Sequence, residues 1–123
     1  MEETMEKAIL VAVNVNDKDY FIESLDELEE LVKACDMTKV GTIIQNLDKV
    51  NNALYIGTGK VEEVKEKVIQ TSADLVIFNN ELSPSQLKNL QKILNVPILD
   101  RTALILEIFE RRARTKEAKL QVE

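Results

Sequence analysis

At 123 residues, with 45% hydrophobic and 31% charged side chains, the chain is long enough for one domain with its own core, and a net charge of −6 argues against indiscriminate nucleic-acid binding. The absence of histidine excludes Ser/His and Cys/His catalysis and histidine-ligated zinc, and a single cysteine, Cys35, excludes an internal disulfide or a cysteine-cluster metal site. No apolar run reaches the roughly 20 residues that span a bilayer, and the N-terminus is acidic where a secretory signal is basic, so no membrane span and a cytoplasmic location are expected.

Lys7 to Asn14 is a continuous apolar run ending in polar turn residues, as in a strand buried on both faces, and predicts a first strand over 8–14. After a polar loop, Ser24 with Glu27 three positions on reads as a capping box opening a helix over 24–35, with Leu25, Leu28, Leu31, Val32 and Cys35 inward. Cys35 at such a position is a core thiol rather than a nucleophile. A second strand is expected over 41–47. Between Asp48 and Gly59 the pattern is weakest, with a turn at Asn51-Asn52 and an extended Leu54-Tyr55-Ile56.

Gly57-Thr58-Gly59-Lys60 then leads into a helix over 59–70. A glycine pair ahead of a helix can aim backbone N–H groups at an anion, with Lys60 alongside. The spacing is not that of a phosphate-binding loop, which needs four residues between its glycines and Ser or Thr after the lysine; a structural turn is the competing reading. A third apolar strand is expected over 74–79. Ser83-Pro84-Ser85-Gln86 is a strong helix start for 83–94, and a short fourth strand, 96–99, carries Pro97 as an edge strand can.

Asp100 is placed to cap the last helix, expected over 101–113, whose Leu104, Ile105, Ile108 and Phe109 recur at helical spacing and are expected to look inward. Beyond Phe109 the helix turns basic, with Arg111, Arg112, Arg114, Lys116 and Lys119 diluted only by Glu110 and Glu117. Up to Asp36 the chain is the opposite: acids face only Lys7, Lys18 and Lys33. One end can approach phosphate, and the other repels it.

Four apolar strands alternating with four amphipathic helices predict an α/β domain with a mainly parallel sheet, and right-handed crossovers give the order 2-1-3-4. The carboxyl ends of the strands then form a possible ligand edge holding Asn14, Asn16, Asn79, Asn80, Glu81, Asp100, Arg101 and Thr102. In an enzyme, Glu81 or Asp100 would serve as acid or base and Lys60 or Arg101 would meet phosphate, although carboxylates at helix starts are commonly caps.

Three stretches in this order, YIGTGKVEEV at 55–64, NNELSPSQLKNLQ at 79–91 and DRTALILEIFERRARTKEAKLQVE at 100–123, resemble the N-terminal domain of the HflX family of ribosome-associated GTPases. The resemblance implies an α/β unit over 1–113, then a helical hairpin beginning at 114–123 and cut before a GTPase domain. It implies a partner, the large ribosomal subunit and its RNA, and a role in ribosome splitting or rescue under stress. GTP and Mg²⁺ are expected in the GTPase domain, because GxxxxGK[ST], DxxG and NKxD are all missing from this chain. The chain itself is therefore expected to be non-catalytic. Charge and spacing, rather than a family motif, single out Arg111, Arg112, Arg114, Lys116 and Lys119 as RNA-contacting, with Gly57, Gly59 and Lys60 second. Two alternatives stand beside this: a nucleotide-binding domain using the strand-end loops, and a regulatory module acting on the GTPase domain without touching RNA.

Overall fold

The structure is a computed structural model that describes residues 5–16 and 19–122, with side chains described as far as Arg111. Its elements are β1 (Glu6–Val15), α1 (Phe21–Ala34), β2 (Met37–Leu47), α2 (Thr58–Thr71), β3 (Leu75–Phe78), α3 (Pro84–Leu94), β4 (Ile98–Leu99) and α4 (Arg101–Val122). The strands form one parallel sheet in the order β2-β1-β3-β4, as the crossover rule predicts.

The alternation of side chains along β1 divides the core in two. Ile9, Val11 and Val13 point to the face covered by α2 and α3, where they meet Val61, Val64, Leu90 and Leu94. Ala8, Leu10 and Ala12 point to the face covered by α1 and α4, where they meet Leu25, Leu28, Val32, Leu104 and Ile108. The continuous apolar run of β1 is thus explained by helices on both faces. Cys35 lies fully buried at the carboxyl end of α1, and burial pushes its thiol pKa up, which is the behaviour of a core residue.

Several local expectations change. β2 begins at Met37, four residues early, because Val40 is an extra residue in a bulge that lets Lys39 pair with Ala8 and Gly41 with Ile9. α1 begins at Phe21, and its N-cap, Tyr20, makes no side-chain cap bond. The Ser24 capping box does not form, because both of its residues are drawn to α4. On α4 itself, Leu104 and Ile108 are buried, but Ile105 is 37% exposed and Phe109 62% exposed. The helix lies across a sheet margin where β4 contributes only two residues, so there is nothing for the flank carrying Phe109 to cover.

The Ser83 start of α3 is realised in full. The Ser83 hydroxyl accepts from the Gln86 N–H at 3.2 Å, and the Gln86 side chain accepts from the Ser83 N–H at 2.9 Å.

Candidate functional site

With β1 and β3 adjacent at the centre, the chain leaves β1 toward β2 on one side and β3 toward β4 on the other. The crevice between their carboxyl ends is the switch point at which parallel α/β sheets bind ligands. A cleft of about 430 Å³ opens there, lined by Val13, Asn14, Val15, Tyr20, Phe21, Ser24, Val50, Tyr55, Asn79 and Asn80.

Strand-end residues give this edge its shape. Asn80 follows β3 and continues the sheet with its side chain, accepting from the Val13 N–H and donating to the Val13 carbonyl, each at 3.0 Å. Asn79, 8% exposed, donates to the Ser24 hydroxyl at 3.0 Å. Tyr55 enters from the long β2–α2 connection with φ of 68°, a left-handed conformation that is costly for a bulky residue. It is held there by a pair of backbone bonds with Asn51. Gln86 donates to the carbonyls of Asn51 and Asn52, and Asn89 to that of Ala53, so α3 fixes the loop that presents Tyr55. Burial pushes the Tyr55 phenol pKa up, and a hydrogen bond with Asn80 opposes this.

The charged residues expected at this edge are engaged in holding the fold. Arg101 donates to Asn79 Oδ1 at 2.6 Å, to the Ser24 carbonyl and hydroxyl at 3.2 and 3.1 Å, and to Glu27 at 2.7 Å. Asp100 is buried and does two jobs: Oδ1 accepts from the Ala103 N–H at 2.9 Å and caps α4, while Oδ2 accepts from the Leu82 N–H at 3.1 Å. Glu81 accepts from the Thr102 hydroxyl at 2.8 Å. This arrangement ties α4, α1 and the β3–α3 loop together, and among the described residues no acid–base pair lines the cleft.

The Gly57–Lys60 turn lies apart from the cleft. Gly57 is the N-cap of α2 in extended backbone, its N–H donating to Gln45 Oε1 at 3.2 Å. Neither Gly57 nor Gly59 has positive φ, and a side chain at Gly59 would meet open space. The pair is therefore not required by backbone conformation. Lys60 is paired with Glu63 at 3.1 Å.

On the basic helix, Arg111 is turned back onto the domain. It bonds Glu107 at 3.0 Å, Glu6 at 3.1 Å and the Cys35 carbonyl at 2.5 Å, and the bond with Glu107 contributes most to raising its pKa. The side chains of Arg112, Arg114, Lys116 and Lys119 lie outside the described residues, although α4 runs unbroken through all four positions. Among the described residues there is no cluster of acids and cysteine able to hold a metal ion, and no helix long and apolar enough to cross a membrane.

Comparison with known proteins gives this architecture a lineage. The family model described as the GTP-binding GTPase N-terminal domain matches residues 22–110, which takes in nearly all of α1, then β2 through β4 and the first part of α4, with β1 before it. The chain belongs to the HflX family. It is 44% identical over 123 residues to the GTPase HflX of Lacrimispora saccharolytica, covering all of this chain and 29% of that protein. It is 40% identical over 119 residues to the GTPase HflX of Escherichia coli, covering 96% of this chain and 28% of that protein. The chain thus spans less than a third of the HflX relatives it matches, as their N-terminal domain. Among solved structures, that of SsGBP with GDP superposes with a TM-score of 0.70 at 26% identity, covering 96% of this chain and 33% of the other.

Proposed function

We propose that this HflX N-terminal domain is a docking and positioning module that brings a GTPase to the large ribosomal subunit, within a cytoplasmic protein acting in ribosome splitting or rescue under stress. The module is non-catalytic, and GTP with Mg²⁺ belongs to a GTPase domain elsewhere in the protein. Residues 1–113 are the α/β unit, and 114–123 begin the helical linker. The observation that carries the reading is the segregation of positive charge along α4. Arg101 and Arg111 are neutralised by Glu27, Glu107 and Glu6. Arg112, Arg114, Lys116 and Lys119 follow where the sequence offers only Glu117 among them. Phosphate contacts by such a cluster release counterions locally, so a net-negative domain can still bind RNA. Lys60, Gly57 and Gly59, at the exposed start of α2, are a secondary contact.

The reading predicts that full-length protein binds large subunits with an affinity that falls linearly in log salt, and that the 123-residue chain neither hydrolyses nor binds GTP. Salt-independent binding, or calorimetric GTP binding to the chain alone, would contradict it.

One observation favours a second role. Ile105, Leu106 and Phe109 leave an apolar stripe on α4 that is 37% to 62% exposed, with no partner in the domain among the described residues. A protein surface of the same polypeptide, in the linker or the GTPase domain, is the occupant in the regulatory-module reading. Replacing Phe109 by Ser in full-length protein then alters GTP hydrolysis while RNA binding is kept; unchanged hydrolysis would remove this second reading.

A further inference from the structure

We infer that the outer edge of β2 pairs with the same edge of a second copy of this chain, antiparallel about a two-fold axis at Ile44, joining two sheets into one. This surface goes beyond the docking role and does not depend on it, since it lies at the margin opposite β4 and shares no residue with the basic end of α4.

The two margins of the sheet are finished differently. β4 closes one side with two residues, Ile98–Leu99, directly after Pro97, so little ladder is open there. β2 closes the other with 11 residues, Met37–Leu47. Its one charged residue, Lys39, and its bulge both lie near the start, and from Val40 to Leu47 it holds neither charge nor proline. Short length, charge and proline are the usual guards against strand addition, and this run lacks all three.

The free backbone groups set the register. Leu47 turns its carbonyl toward β1, where it accepts from the Asn16 N–H at 2.9 Å. The N–H and carbonyl of one residue share an edge of the strand, and the next residue takes the other edge. Ile43 and Gln45 therefore also face β1, while Thr42, Ile44 and Asn46 turn their backbone groups outward, where the sheet has no further strand. An antiparallel copy centred on Ile44 sets Ile44 against its own equivalent and Thr42 against Asn46 of the second copy. All are hydrogen-bonded pairs, so each outward group is satisfied. An antiparallel edge on an otherwise parallel sheet is a common arrangement.

The side chains select a second copy as the occupant. Thr42 and Ile44 stand in register with Leu10 and Ala12, so together with Asn46 they line the α1 face of the sheet. Ile44 is 42% exposed, and the two-fold axis covers it with its own equivalent. Thr42 Oγ1 is buried without a hydrogen-bond partner, the one such side-chain atom among the described residues. The carboxamide of Asn46 from the second copy stands opposite and offers it a donor. On the other face Ile43 meets Gln45 of the second copy, again without charge. Residues 42–46 are thus complementary to themselves read backwards, which is what an isologous contact requires.

The test is sedimentation equilibrium of this chain, without RNA, at concentrations up to about 1 mM. A pairing of this length buries less than a standard interface, so a weak dimer is expected, its mass rising from one chain toward two as concentration increases. Each chain carries a net charge of −6, so added salt strengthens the dimer, the opposite of its effect on RNA docking. Ile44→Lys, at an exposed position that leaves the core untouched, sets like charges face to face and removes the rise in mass. Cysteine cross-linking with oxidised glutathione reads the register, with Cys35 fully buried and out of reach. Ile44→Cys links to itself, because directly opposed Cα atoms lie about 5.5 Å apart, within disulfide reach. Thr42→Cys does not link to itself but links to Asn46→Cys when the two variants are mixed. The inference is overturned if the chain stays monomeric throughout, if Ile44→Lys dimerises like the parent, or if Thr42→Cys links to itself as readily as Ile44→Cys.

Discussion

α1 and α4 lie side by side on the same face of the sheet and carry opposite charge. α1 exposes acids along its solvent face, and those that meet α4 are used: Glu27 takes Arg101, while Glu6 on β1 takes Arg111. α4 is 22 residues long against 14 for α1, so it extends about 12 Å further along its axis. Up to Arg111 its cations have acids of the domain within reach and serve packing. Beyond Arg111 the sequence continues with Arg112, Arg114, Lys116 and Lys119, whose side chains lie outside the described residues. Arg101 and Arg111 show that a basic residue on this helix can serve packing where the fold supplies a carboxylate beside it, so residue type alone does not decide its role.

The comparison can be broken at graded cost. Leu104 is the most enclosed contact of α4 with the sheet, and Leu104→Ala should lower unfolding free energy by about 3 kcal/mol through the cavity it leaves, measured by urea denaturation. Arg101→Ala comes next, at about 2 kcal/mol, because it leaves buried Asn79 without its charged donor; the exposed side of its pair with Glu27 adds little. A loss as small as that of a solvated arginine would mean that the packing role is misassigned.

Ser83→Ala, away from both helices, removes one member of a complete capping box and should cost about 1 kcal/mol while leaving any ribosome contact intact. The smallest effect is alkaline. The Cys35 thiol has its pKa raised in the folded state, so above the ordinary thiol value of 9.0 the unfolded chain releases its proton first and the folded chain retains it. Stability therefore falls as pH rises through that range. Cys35→Ala should flatten this part of the pH profile, and an unaltered slope would assign it to other groups.

Much of this was readable in the sequence, for a local reason. The strand order follows from apolar runs and crossover handedness, and the Ser83 and Asp100 caps are satisfied by neighbours three residues away. Ser24 and Glu27 show where local reading fails. They carry the capping-box pattern, yet the Ser24 hydroxyl is claimed by Asn79 and Arg101, 55 and 77 positions distant, and the helix starts three residues earlier. Phe109 fits the helical period but lies on the flank that the two-residue β4 leaves uncovered. The cleft was only half visible. Asn14, Asn79 and Asn80 could be placed at strand ends, but Tyr55 reaches it through a positive φ imposed by Asn51 and the α3 amides, which no propensity announces.

The central claim is that positive charge past Arg111 docks the protein on RNA, and reversing Arg112 and Arg114 to Glu in the full-length protein tests it most directly. Binding to large ribosomal subunits, measured across a salt series, should weaken at low salt and lose part of its salt dependence, because fewer counterions are released. Intrinsic GTP hydrolysis and the unfolding midpoint should stay at the parent values. Subunit affinity equal to the parent's at both low and physiological salt would contradict the account and leave α4 as a solvated helix.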